Sequence, residues 1–279
     1  MAETGGARFR RFHSFRCGRH HLGVRAICAL FAGVLSTIVV PETGRAAEPD
    51  EIVVYAAASL RDVLQELAPA AERATGVRLV FNLGASSDLA RQIVAANRAD
   101  LFFSADESWM DRVAAADLVD PGSRRSPLSN RLVVVVPAAS SLGVASAADL
   151  ALPAVRRLAL ADPEAVPAGR YAKAWLESAG IWRAVAEKVV PVLDVRAALA
   201  AVESGAVDAG VVYRTDAAIS RRVRVAFVVP EGEAPPISYA LAALRPRPHL
   251  EAARAVAGWF SGPEAAAVFE RFGFVSRQP

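Results

Sequence analysis

The chain has 279 residues, 53% of them apolar, enough for one large core or two lobes. Its formal charge of +3 is unevenly spread: seven of the 32 Lys+Arg and two of the 29 Asp+Glu lie in residues 1–46, so the rest carries 25 basic and 27 acidic residues, a net of −2, and no basic surface for nucleic acid is expected. Both cysteines, Cys17 and Cys28, and three of the four histidines share that leader, which excludes a disulfide, a cysteine nucleophile or a Cys/His zinc cluster from the remainder.

The leader reads as an export signal. Arg8 to Arg25 give a basic region, and Ala26–Val40 is an apolar run of 15 residues, shorter than the ~20 that a membrane-spanning helix needs. Pro41 ends the run. Gly44-Arg45-Ala46 puts small residues where a signal peptidase requires them, which places cleavage after Ala46, with Ala47 the near alternative. No lipobox precedes Cys28, which argues against a lipid anchor.

Downstream, strand-like and helical patterns alternate. Val53, Val54 and Tyr55 lead through three alanines into Ser59, after which Leu60, Val63, Leu64 and Leu67 recur at helical spacing. The pattern predicts a helix from Ser59 to about Thr75, capped by Ser59 with Asp62 completing a capping box, and ended by Gly76. Residues 77–83 read as a strand. A second helix follows, capped by Ser86 or Ser87, with Leu89, Ile93 and Ala96 on one face. Residues 99–105 read as a buried strand, and the next short helix carries Trp109 and Met110 as core residues. Residues 121–130 are rich in turn formers, and a lobe boundary is placed near 127–130. Arg131–Pro137 is a continuous β-branched strand, as parallel or central positions require. A strand at 157–161 runs to a helix with Pro167 in its first turn, leaving the Ala168 and Gly169 amides free. After a strand at 189–193, Asp194 caps a helix that begins at Val195. Strands at 209–213, ending in Tyr213, at 223–229 and at 237–244 follow, the last returning to the first lobe. Two helices, 250–260 and 263–272, close the chain. Alternation of this kind means α/β with mostly parallel sheets.

Four strand-to-helix turns, at Ser59, Ser86, Ala168 and Val195, together with Tyr213 at a strand end, offer hydroxyls and backbone N–H groups. Such turns lie at the carboxyl ends of the strands, where ligands collect in α/β proteins. Two come from each half, so facing lobes would bring them to one cleft. The donors are neutral, with no cation or metal ligand among them, which suits a small, fully ionised oxyanion. Arg91 and Arg170 lie near two of the turns and read as solvated helix residues or lobe-closure partners.

The stretches YAAASL (55–60), GASSDLARQI (84–93), ADLFFSAD (99–106), ADPEAVPAGRYAK (161–173), DVRAALAAVE (194–203) and GVVY (210–213) resemble the periplasmic molybdate-binding proteins of ABC transporters, in order and across nearly all of residues 51–275. The resemblance implies a type II periplasmic binding protein fold, with two α/β lobes, a two-segment hinge and the ligand cleft between the lobes. With the boundary above, residues 1–46 are a signal peptide, 47–129 and 237–279 form lobe 1, and 130–236 form lobe 2. It implies that molybdate or tungstate is held by hydroxyl and amide of Ser59 and Ser86, by the amides of Ala168 and Val195, and by the Tyr213 hydroxyl. Some relatives carry a longer serine run than Gly84-Ala85-Ser86-Ser87, so Ser87 stands as the alternative to Ser86. The expectation is therefore a monomeric periplasmic receptor, not an enzyme, without a cofactor. Molybdenum enters only as the bound oxyanion, and the partners are a membrane permease and, through it, an ATPase. The alternatives are a receptor for sulfate or phosphate, and a hydrolase using Ser59, which lacks a plausible base because a triad would have to use His249, a residue with no motif around it.

Overall fold

The computed structural model describes residues 50–277, so the expected leader and its cleavage point lie outside the described residues. In chain order the first half contains β1 (Glu51–Ala57), α1 (Arg61–Thr75), β2 (Arg78–Gly84), α2 (Ser86–Ala96), β3 (Leu101–Ser104), α3 (Glu107–Ala115), β4 (Arg125–Ser129) and β5 (Leu132–Pro137). The second half adds β6 (Leu158–Ala161), α4 (Pro167–Ser178), α5 (Trp182–Val185), β7 (Val189–Val192), α6 (Val195–Glu203), β8 (Ala209–Tyr213), α7 (Arg214–Ala218), β9 (Val223–Val228), β10 (Tyr239–Ala243), α8 (Leu250–Phe260), α9 (Pro263–Arg271) and β11 (Val275–Ser276).

These elements make a two-lobed α/β fold with two sheets. One is ordered β11-β4-β10-β3-β1-β2 and the other β7-β6-β8-β5-β9. Both are mixed rather than mostly parallel. β1 pairs in parallel with β2 and β3, and β6 with β7 and β8, through helical crossovers. β5 runs antiparallel to β8 and β9, and β10 runs antiparallel to β3 and β4. The physical reason is the route of the chain. β5 and β10 are reached by short crossings from one sheet to the other, and a strand that enters without a crossover helix comes in antiparallel.

The stretch read as turns between 121 and 130 contains β4, which sits between β10 and β11. Its proline hid it. Leu128 pairs with Tyr239 and Arg125 with Leu241, so Pro127 falls in a bulge where no ladder donor is needed. The chain passes between sheets at Asn130–Arg131 and again at 229–237, and an Arg131–Glu231 ion pair of 2.8 Å ties the two crossings together. Phe260 of α8 and Phe269 of α9 pack on Phe103 of β3, with ring centroids 6.5 and 6.2 Å away, so the C-terminal helices cover the first sheet.

Two expected caps are corrected. Ser59 lies inside a single 3₁₀ turn, Ala58–Leu60, and α1 starts only at Arg61, so neither Ser59 nor Asp62 caps it. Ser86 is itself the first residue of α2, with Ala85 before it, and no serine side chain caps that helix. Asp194 does cap α6, accepting from the Ala197 amide at 2.9 Å. Asp106 caps α3 in the same way, through the Trp109 amide at 2.8 Å. Met110 is core, whereas Trp109 is half-buried.

Candidate functional site

Ser59, Ser86, Ala168, Val195 and Tyr213 line one small pocket that draws its walls from both sheets. All five are buried. Ser87 does not line it. That residue lines the neighbouring cavity with Arg91 and Leu193, and its hydroxyl has no partner among the described residues.

The backbone donors follow from how each helix starts. In α4 the first ladder bond runs from the Arg170 amide to the Val166 carbonyl at 2.9 Å, which leaves the Ala168 and Gly169 amides outside the ladder. In α6 the Ala197 and Ala198 amides are taken by the Asp194 side chain and carbonyl, which leaves Val195 and Arg196. In α2 the Asp88 and Leu89 amides go to the Ala85 carbonyl, which leaves Ser86 and Ser87. Three helix N-termini therefore bring spare N–H groups and their partial positive charge to this region. Gly169 makes the α4 contribution possible. A Cβ there would lie 2.0 Å from the Ala161 carbonyl oxygen and 2.5 Å from that of Asp162, so only glycine lets this turn sit on the end of β6.

The hydroxyls can be assigned donors and acceptors by elimination. The Asn130 side-chain carbonyl accepts from the Arg131 amide at 2.9 Å, which turns its NH₂ toward Thr215 Oγ1 (2.9 Å) and Tyr239 Oη (3.3 Å). Tyr239 Oη thus accepts from Asn130, and among the described residues Ser59 Oγ, 3.0 Å away, is the acceptor within reach of its own proton. The Ser59 proton is then free to point into the pocket. Ser86 Oγ accepts from the Ala105 amide at 3.0 Å, so its proton is free as well. Tyr213 Oη is buried with no partner among the described residues. Burial pushes both phenols well above their ordinary pKa, Tyr239 and Asp216 adding to it at Tyr213, so both remain neutral donors at physiological pH.

Cations surround the pocket without entering it. Arg196 sits 2.7 Å from Asp216 and 2.5 Å from Asp62. Arg170 meets Asp106 at 2.7 Å and the Ser108 hydroxyl at 2.5 Å, which makes it a contact between the two halves. Arg91 pairs with Asp88 and lies over the Trp109 ring, 5.6 Å from its centroid. Trp109 Nε1 donates to the Ala165 carbonyl at 2.9 Å, a further bond from the first half to the second. His249 stands before α8, 3.5 Å from Asp50, and does not line the pocket. Sequence reasoning missed Asn130, Tyr239, Arg196 and Asp216. They lie on strands, helices and crossings far apart in the chain, and no local pattern in the sequence singles them out.

The arrangement offers convergent neutral donors around one small pocket, the chemistry of anion capture. Residues 52–275 match the family model of the bacterial extracellular solute-binding proteins. The molybdate-binding protein ModA of Escherichia coli (strain K12) is 39% identical over 249 residues, covering 88% of this chain and 96% of that protein. The protein of the same name from Haemophilus influenzae is 34% identical over 68% of this chain and 76% of its own length. Among solved structures, the Azotobacter vinelandii periplasmic molybdate-binding protein is 26% identical and has a TM-score of 0.74, covering 81% of this chain and 100% of its own. The chain belongs to the bacterial extracellular solute-binding protein family and groups there with the periplasmic molybdate-binding proteins of ABC transporters.

Proposed function

We propose that the chain captures molybdate, with tungstate bound in the same way, and delivers it to the permease of an ABC importer. The observation that carries the reading is the donor set. Two serine hydroxyls with protons to spare, a tyrosine hydroxyl with no partner among the described residues and the spare amides of Ser86, Ala168 and Val195 line one pocket with no Lys, Arg or His among its described lining. A tetrahedral dianion accepts hydrogen bonds on every oxygen, which suits such a donor set. Ser86 rather than Ser87 is the second serine contact, because only Ser86 lines the pocket. Relatives named as molybdate-binding proteins support the choice of ion.

In this reading residues 47–129 with 237–279 form one lobe and 130–236 the other. Asn130–Arg131 and the 229–237 crossing act as the hinge. The protein works in the periplasm as a monomer, after removal of a signal peptide near Ala46. It binds and releases its ligand with no bond made or broken, and no cofactor takes part. Titration calorimetry on the mature chain with molybdate, tungstate, sulfate and phosphate tests the proposal. One-to-one binding of molybdate and tungstate, with sulfate and phosphate silent, is expected. Silence with all four, or preference for sulfate, would overturn it.

A further inference from the structure

Arg196 follows Val195 in the first turn of α6, yet its side chain serves elements from both halves of the chain. Its Nε faces Asp216 of α7 at 2.7 Å. One terminal nitrogen reaches Asp62 of α1 at 2.5 Å and the Ser59 carbonyl at 3.4 Å. Asp216 in turn accepts from the Tyr213 amide at 3.3 Å. One guanidinium is therefore joined to three of the pocket residues: to Val195 through the chain, to Ser59 through its carbonyl, and to Tyr213 through Asp216. The Arg196 side chain is 17% exposed and Asp216 is fully buried. A buried ion pair of this kind is weak evidence of stability in its own right. Its acceptors also diverge, which a planar guanidinium can span and a lysine ammonium cannot.

We propose that Arg196 is a positioning residue for oxyanion capture, a latch that holds the Val195 turn of α6 against the Ser59 turn and so keeps the two sides of the pocket closed on the ligand. The proposal rests on the function proposed above. In it Arg196 touches no ligand atom. Its work is to fix the distance between donors that come from different sheets, so its loss acts mainly on the rate at which the pocket reopens.

The test uses the mature chain with Arg196→Lys, Arg196→Gln and Asp62→Ala. Asp62 is 38% exposed, so the third variant removes the charged contact between halves while leaving the Ser59 carbonyl and the buried Arg196–Asp216 pair in place. Stopped-flow and calorimetric measurements with molybdate are expected to show dissociation faster by roughly tenfold or more in all three, the loss of one charge-assisted contact, with association changed far less. Lysine is expected not to rescue. Solution scattering is expected to give all three variants a larger radius of gyration than wild type under matched conditions with molybdate. Wild-type rates in Asp62→Ala together with rescue by lysine would overturn the latch. A wild-type chain that takes up none of the four oxyanions would instead strike the proposed function. The latch is then read from scattering of the chain alone, where radii equal to wild type would overturn it too.

Discussion

Tyr213→Phe separates a ligand contact from a packing residue by the sign of two effects. The ring would stay where it is, 5.9 Å from Tyr239, and only the partnerless buried hydroxyl would go. In the ligand-free protein that hydroxyl is a desolvated donor, and leaving such a group unmade costs about 1–3 kcal/mol. Phenylalanine is therefore expected to melt at the same temperature or higher, by roughly 2–4 °C for each kcal/mol in a domain of this size. With molybdate bound, the same change removes a hydrogen bond to a charged acceptor, about 1.5–3 kcal/mol, or roughly 10- to 150-fold in Kd. Thermal unfolding with and without molybdate, alongside calorimetric titration, reads both. A variant that binds as wild type does, or one that melts lower without ligand, would refute the reasoning, because the hydroxyl would then have a use within the protein itself.

Ser59→Ala is expected to weaken molybdate binding by about 1–3 kcal/mol and also to lower the ligand-free melting temperature, since Tyr239 Oη loses the acceptor of its proton; a variant that loses neither would remove Ser59 from the site. Gly169→Ala forces a methyl against two backbone carbonyls. It is expected to cost about 1–3 kcal/mol of stability and to weaken binding further by shifting the Ala168 amide; unchanged melting and affinity would contradict the crowding. The Asp216 carboxyl is raised by burial to about 7 from 3.8, although Arg196 pulls it down. The folded chain therefore holds more protons than the unfolded one between those values, and this group's contribution to stability falls as pH rises through that window. Asp216→Asn is expected to flatten that part of the pH profile in denaturant unfolding, and a profile parallel to wild type would show that the folded-state pKa of Asp216 is not raised.

The parts of the fold that repeat a local pattern were open to the sequence. β8 ends at Tyr213, α4 begins at Pro167 and α6 follows its Asp194 cap, because apolar periodicity, a first-turn proline and an aspartate cap each act within a few residues. The turns that carry the pocket could be found for the same reason. What distance in sequence conceals could not. The antiparallel entry of β5 and β10 depends on the path of the crossings, and β4 depends on a bulge that accommodates Pro127. A serine before a helix usually caps it, so the sequence predicts caps at these serines. Here a 3₁₀ turn and the Tyr239 and Ala105 contacts replace that role, and those partners lie 180 and 19 residues away.

Freed from capping, the serines line a pocket whose neighbouring charged side chains are each engaged by a partner within the protein. Arg196 is matched by Asp62 and Asp216, Arg170 by Asp106, and the Asp194 carboxylate is tied to its own helix. In the proposed reading, what acts on a bound ion is the partial charge of helix ends, which falls off within a turn and is fixed by the backbone, together with hydroxyls carried on buried side chains. A free guanidinium in the pocket would attract any small anion and adapt to its shape. A ring of fixed donors accepts only an ion that offers an acceptor at every position. A phosphate that carries a proton would set a donor against a donor, and the one carboxylate lining the pocket is already engaged by the Ala197 amide. In the proposed reading, discrimination between oxyanions thus comes from proton state and size at fixed points, and the paired arginines keep those points in place.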